Sequence, residues 1–211
     1  MKKLIALSGA SSCGKTTILH RLDDTSVAGS QVSVMTSVTT RDLRYPNEPY
    51  RRCISREKFE ELRPLMAQCI TFGENSYGIL RTDIDAALEK GIAFVDVVAE
   101  GVSQLKARYP NTVQAIFLYV HPRVLMQRLQ DRNATRDEIR HRMELSATQL
   151  FDAIASGHYI FIENIDLERT LQTIENLLLG YSVEAIIPSC DIYVRELKAV
   201  MAEWENTGVL T

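Results

Sequence analysis

Near the start of the chain, residues 9 to 16 read Gly9-Ala10-Ser11-Ser12-Cys13-Gly14-Lys15-Thr16, directly behind the apolar run Leu4-Ile5-Ala6-Leu7. This is a G-x-x-x-x-G-K-[ST] loop placed where a buried strand turns into a helix, and that placement constrains the fold strongly. A loop of this kind wraps backbone N–H groups around phosphate oxygens, and its two glycines let the backbone approach them. Lys15 supplies a mobile positive charge and Thr16 a hydroxyl for Mg²⁺. Ile18, Leu19 and Leu22 then share one helical face over Thr17 to Leu22. The implied ligand is a nucleotide polyphosphate, held by Gly9, Ser11, Ser12, Cys13, Gly14, Lys15, Thr16 and Thr17.

Behind that loop, strand-length apolar runs alternate with amphipathic helical stretches, the pattern of parallel strands joined by crossover helices. The strands expected are Lys3 to Ser8, Gln31 to Thr36, Ile92 to Val97, Val113 to Val120 and Tyr159 to Glu163. Helices are expected at Arg123 to Gln130, Arg136 to Ser156 and Leu167 to Leu179. The fold class is therefore α/β, a three-layer phosphate-loop NTPase core around a five-stranded parallel sheet. At 211 residues one such domain with an insertion is the expectation.

Two stretches break the rhythm. Residues 37 to 90 lack long apolar strands and carry Arg41, Arg44, Arg51, Arg52 and Arg56, as an insertion that handles a second ligand would. Asp131 to Asp137 is polar and joins two helices, which suits a lid. The tail from Tyr181 to Thr211 ends in a helix with Tyr193, Leu197, Val200, Met201 and Trp204 on roughly one side. That stripe has to pack on the domain itself or on a second copy in a homodimer.

The balance of 24 basic against 27 acidic residues, a net charge of -3, gives no reason to expect duplex nucleic acid as a partner. Cys13, Cys53, Cys69 and Cys190 show no C-x-x-C spacing, and the four histidines form no ligand pair, so neither a structural metal nor a disulfide framework is expected. The short apolar stretch after Met1-Lys2-Lys3 reads as a buried strand, with no secretion signal and no membrane span. A reducing, cytoplasmic setting follows.

The run Ala93-Phe94-Val95-Asp96 is a buried strand ending in a carboxylate, which phosphate-loop enzymes use toward magnesium or an acceptor. Ser37-Val38-Thr39-Thr40-Arg41-Asp42-Leu43-Arg44 follows an earlier strand. Together with Ser55-Arg56-Glu57-Lys58-Phe59, Tyr77-Gly78, Asp96 to Gly101, and Arg128-Leu129-Gln130-Asp131-Arg132 followed by Arg142, these motifs resemble guanylate kinases from about residue 2 to residue 179. The resemblance implies a core over 1–36 and 91–180, a nucleoside-monophosphate-binding insertion over 37–90, a lid at about 131–142 and a helical extension over 181–211. It implies ATP and Mg²⁺ as cofactors. By similarity Arg41, Arg44 and Tyr77 match residues that grip the acceptor's phosphate, and Ser37 matches one near its base. Arg132 and Arg142 match lid arginines that meet ATP and the transferring phosphate. A phosphate-binding tyrosine is matched either by Tyr50 or, replacing it, by Arg51. Lys15, Arg41, Arg132 and Arg142 are thus the catalytic candidates, Thr16 and Asp96 the metal candidates, and Ser37, Arg41, Arg44, Tyr50, Tyr77 and Asp96 the substrate candidates. Moving a phosphoryl group between two anions asks for such a set of guanidinium groups on purely physical grounds.

The departures cluster on the base. Ile79 stands where the family has Ser or Thr after the Tyr-Gly pair, and Val98 stands at the second acid of the Asp-x-Asp strand end. Gln68-Cys69-Ile70-Thr71-Phe72 carries no carboxylate where a guanine-reading glutamate is expected. The expected activity is ATP-dependent transfer to a nucleoside monophosphate, GMP, dGMP or a related or modified nucleotide. A sugar phosphate or polymer-borne nucleotide as acceptor, and a non-catalytic binding module, are the alternatives.

Overall fold

The computed structural model describes residues 2–10, 12–183 and 187–207. Its elements fall into two compact units. The first comprises Met1–Leu7, Thr16–Ala115 and Leu178–Gly180; the second comprises Ser8–Lys15, Ile116–Leu177 and Tyr181–Thr211.

In the first unit, β1 (Lys3–Gly9) contributes Leu4, Ile5, Ala6 and Leu7, all fully buried. It pairs in parallel with β8 (Gly91–Asp96), which pairs in parallel with β3 (Ser30–Val34). The near-continuous apolar runs of β1 and β8 are what two covered faces require, whereas β3 alternates and leaves Gln31 exposed. The short β2 (Ser26–Val27) adds an antiparallel edge on β3, a strand that hydropathy patterning does not reveal. The helix α1 (Lys15–Leu22) buries Ile18, Leu19 and Leu22, the face read from the sequence.

Residues 37–90 hold a second sheet, whose strands the sequence reading, which noted only the lack of long apolar ones, did not place. Its order is β5-β4-β7-β6, built from β4 (Ser37–Thr39), β5 (Arg51–Cys53), β6 (Met66–Phe72) and β7 (Asn75–Leu80). The reason it was not legible is length: two of the four strands have three residues, too few to show a period. Val38, Phe59 and Met66 form its core, Phe59 coming from α2 (Arg56–Leu62), which Ser55 caps by accepting the Lys58 N–H at 3.2 Å. The helix α3 (Arg81–Lys90) leads from β7 back to β8, and α4 (Ala99–Arg108) follows it.

The second unit carries the neighbouring strands β9 (Val113–Tyr119) and β10 (Tyr159–Glu163) with α5 (Pro122–Asp131), α6 (Arg136–Ser156), α7 (Leu167–Leu179) and α8 (Cys190–Thr207). All five strands expected from the sequence form, within two residues at each end. The start of α6 is fixed by a capping box, Thr135 and Glu138 satisfying each other's backbone N–H groups. Of the two alternatives for the C-terminal stripe, the helix packs on its own chain: Tyr193, Leu197, Val200 and Trp204 are buried, with α8 against α5 and α6. Arg136 stacks over Trp204 at 5.0 Å, and Arg123 pairs with Glu203 at 2.6 Å. Among the described residues no helix is long and apolar enough to cross a membrane.

Candidate active site

The phosphate loop belongs to the second unit, apart from its last residue. β1 ends at Gly9 and α1 begins at Lys15, so the loop spans the strand-to-helix turn that the sequence placed it in. Gly9 has a φ of +141°, and a β-carbon there would collide with the Leu118 carbonyl and stand 2.9 Å from Cys13 Sγ. Gly14, with φ +100°, has no room for a β-carbon beside the Asn164 amide. Both glycines are thus required by packing from outside the loop as well as by the approach of a ligand from inside.

Ser12 adopts a left-handed φ of 67°, a strained conformation for a residue with a side chain. Its Oγ is buried and has no hydrogen-bond partner among the described residues. A buried hydroxyl without a partner costs on the order of 1–3 kcal/mol, and a phosphate oxygen would offset that. The Lys15 ammonium donates to the Gly9 and Ala10 carbonyls at 2.5 and 3.0 Å, folded across the loop it is meant to serve. Thr16 and Thr17 are exposed in the first turn of α1. Ser11 lies outside the described residues.

Sequence reasoning missed what holds this loop. The Cys13 carbonyl accepts from the Asn164 amide at 2.7 Å and from Arg128 Nη1 at 3.2 Å, and Arg128 Nη2 donates to the Asn164 carbonyl at 3.0 Å. Asn164 Oδ1 in turn accepts from Thr170 of α7 at 2.9 Å. Asn164 and Thr170 are both buried. Cys13 matters here through its backbone; its thiol is fully buried. Arg132 caps the end of α5 and is exposed, and Arg142 is half-buried on α6.

The second set of candidates sits in the first unit. Arg41 Nη2 donates to both oxygens of Glu48, each at 2.9 Å, and the Arg44 backbone N–H donates to Glu48 Oε2 at 2.9 Å. Burial works against the charge on Glu48, but the Arg44 N–H and the Arg41 guanidinium outweigh it and hold the carboxyl below its usual range. Burial likewise opposes the charge on Arg41, and the hydrogen bond and charge of Glu48, with a smaller contribution from Tyr77, raise its pKa further. Glu48 is a site residue that the sequence reading did not single out; its only signal is a carboxylate four residues past Arg44. Tyr77 is half-buried on β7, facing Thr39 of β4 across the antiparallel register.

Tyr50 and Arg51 separate cleanly. Tyr50, at a left-handed φ of 57°, turns its ring to His20 of α1, with 5.2 Å between centroids and 3.3 Å from Oη to Nδ1. Burial, with the carboxylates of Asp23 and Asp24, pushes its pKa up to about 12. Arg51 instead reaches Ser37 Oγ at 2.8 Å through Nη1 and Asp96 Oδ2 at 2.6 Å through Nη2. At the base-reading positions, Ile79 is fully buried opposite Gln68 on β6, Gln68 is itself buried, and Val98 is exposed.

With this geometry in view, comparison with known proteins decides the family. The guanylate kinase family profile matches residues 1–181. The chain belongs to the guanylate kinase family. Among curated guanylate kinases, that of a Wolbachia endosymbiont of Brugia malayi is 30% identical over 189 residues, covering 83% of this chain and 91% of the relative. That of Anaeromyxobacter dehalogenans is 27% identical over 180 residues, covering 83% and 79%. The crystal structure of guanylate kinase from Anaplasma phagocytophilum superposes with a TM-score of 0.62 at 20% identity, covering 100% of this chain and 97% of the other. The fold is accordingly that of a phosphate-loop NTPase, and the chain is a nucleoside-monophosphate-kinase-like phosphotransferase of the guanylate kinase family.

Proposed function

We propose that this guanylate kinase family member catalyses ATP-dependent phosphoryl transfer to GMP, dGMP or a related nucleoside monophosphate. The observation that carries the reading is the phosphate loop itself: a strained, externally braced loop with a buried, unpartnered Ser12 hydroxyl and a lysine folded across it. That arrangement suits a bound nucleotide polyphosphate, the donor that phosphoryl transfer needs. ATP is the donor substrate, its phosphates held by Lys15 and the amides of Ser12 to Thr17. Thr16 offers a hydroxyl to Mg²⁺, which when bound neutralises charge on the donor phosphates. Asp96, the other metal candidate, has one carboxylate oxygen against the Arg51 guanidinium, so the reading gives it to the acceptor side.

Arg41, Arg44 and Tyr77 form the acceptor's phosphate grip, with Glu48 holding the Arg41 guanidinium in one orientation. A planar guanidinium fixed by a carboxylate at Nη2 and by the Asp42 carbonyl at Nη1 loses less freedom when it then meets phosphate oxygens. Arg132 and Arg142 are assigned to the transferring phosphoryl group, on the resemblance. No residue needs to act as a nucleophile, since positioning and charge stabilisation suffice for this chemistry.

The replacement of base-reading groups by Ile79 and Val98 favours an altered acceptor within this class. The test is ADP release from ATP and Mg²⁺ with a panel of ribo- and deoxyribonucleoside monophosphates, sugar phosphates and single-stranded DNA. Turnover with GMP or dGMP alone makes the base selectivity conventional. Turnover confined to another monophosphate supports the altered acceptor. No turnover despite tight ATP binding overturns the proposed activity.

A further inference from the structure

The resemblance offered Arg51 only as a stand-in for a phosphate-binding tyrosine, but its guanidinium is held against Ser37 and Asp96. Arg51 follows the left-handed Tyr50 on β5, directly opposite Ser37 in the parallel register with β4. Three contacts fix its guanidinium: Nη1 to Ser37 Oγ at 2.8 Å, Nη1 to the Tyr50 carbonyl at 3.0 Å, and Nη2 to Asp96 Oδ2 at 2.6 Å. The Arg51 and Asp96 side chains are about four-fifths buried, at 18% and 20% relative exposure, so this is not a solvated surface pair. Both partners, Ser37 and Asp96, belong to the acceptor set, and the inference rests on that assignment.

The chemistry of the cluster follows from its donor count. A guanidinium carries five N–H donors and no acceptor; Ser37, Tyr50 and Asp96 take three of them, which leaves the Nε–H and one Nη2–H to offer a ligand. Asp96 on its own would accept hydrogen bonds from amino and ring N–H groups of a base. Paired with Arg51, its charge is balanced and one of its oxygens is taken. The cluster therefore changes from a group that reads donors to one that offers them. We propose that Arg51 determines acceptor selectivity, by making the Ser37–Asp96 end of the acceptor site favour a base edge that presents carbonyl oxygens over one that presents amino groups.

The experiment uses the full chain with Arg51→Ala, Arg51→Met and Arg51→Lys. It measures kcat and KM at saturating ATP for two pairs of monophosphates that exchange an amino group for a carbonyl, the adjacent ring nitrogen changing from acceptor to N–H donor with it. Inosine and adenosine monophosphates differ in this way at C6, and xanthosine and guanosine monophosphates at C2. In Arg51→Ala the carbonyl-over-amino ratio of kcat/KM is expected to fall by at least about tenfold for one pair or both, since the donors are lost and the Asp96 carboxylate is released to accept. The change resides in the acceptor KM, with the KM for ATP within about twofold. Arg51→Lys retains charge and donors and keeps most of the ratio. Adding Asp96→Asn to Arg51→Ala removes the gain of the amino-bearing partner. Arg51→Met, which preserves the stem, replaces Arg51→Ala should the latter not fold, as judged by thermal melting. Ratios unchanged in both pairs, with every acceptor falling together or none, overturn this inference while leaving the phosphotransferase reading intact. A wild-type chain that binds ATP yet turns over none of the four, nor any other acceptor of the wider panel, overturns that reading, and this inference with it; turnover confined to acceptors outside the four overturns this inference alone.

Discussion

Lys15 is the side chain on which the donor half of the chemistry depends most. Lys15→Ala is expected to lower turnover by at least about two orders of magnitude, measured as ADP release in a preparation whose melting curve matches the parent. The same variant should lose most of the thermal stabilisation by ATP. A ligand at about a hundred times its Kd adds roughly 2.7 kcal/mol to the native state, a shift of several degrees for a chain of this size. Glu48 supports a pH prediction. Its folded-state pKa is depressed below the ordinary carboxylate range, so its ion pair with Arg41 contributes stability above that range, and the contribution is lost as pH falls through the folded value. Urea melts of the parent and Glu48→Gln should therefore differ near neutrality and converge in acid. The loop was legible in the sequence because a local motif encodes it. Glu48, Asn164 and Thr170 were not, because their roles depend on neighbours that spacing along the chain does not reveal.

At the scale of elements, the parallel strands and the long helices were readable: α6 and α7 begin and end where their apolar periodicity does. The insertion was recognised by its arginines but not by its strands. β6 carries Gln68, Thr71 and an exposed Phe72 within seven residues, and a bulge at Met66 to Gln68 disturbs its alternation. The brace behind the phosphate loop can be tested at this level. Asn164→Ala leaves the Cys13 carbonyl to Arg128 alone and removes one acceptor of the Thr170 hydroxyl, which keeps its bond to the Asp166 carbonyl. The expected cost is about 1–3 kcal/mol of stability. The KM for ATP should rise while the acceptor KM stays put, as steady-state kinetics with each substrate varied in turn would reveal.

Over the whole molecule, the terminal helix is part of the folded body and not an appendage. Trp204 is 2% exposed, and its truncation to alanine should cost about 3–5 kcal/mol, read from denaturant melts. The helix also makes polar contacts, two of them ion pairs to arginines, on either side of the turn between α5 and α6. Glu203 meets Arg123, Glu196 meets His121, and Glu205 meets Arg140. The turn at 132–135 is thus strapped from outside by a segment more than fifty residues further along the chain. Any displacement that carries Arg132 and Arg142 toward a substrate has to drag this strap along or break it. In any such displacement α5, α6 and α8 would travel as one braced group, and removing α8 would strip that brace from the turn that carries Arg132.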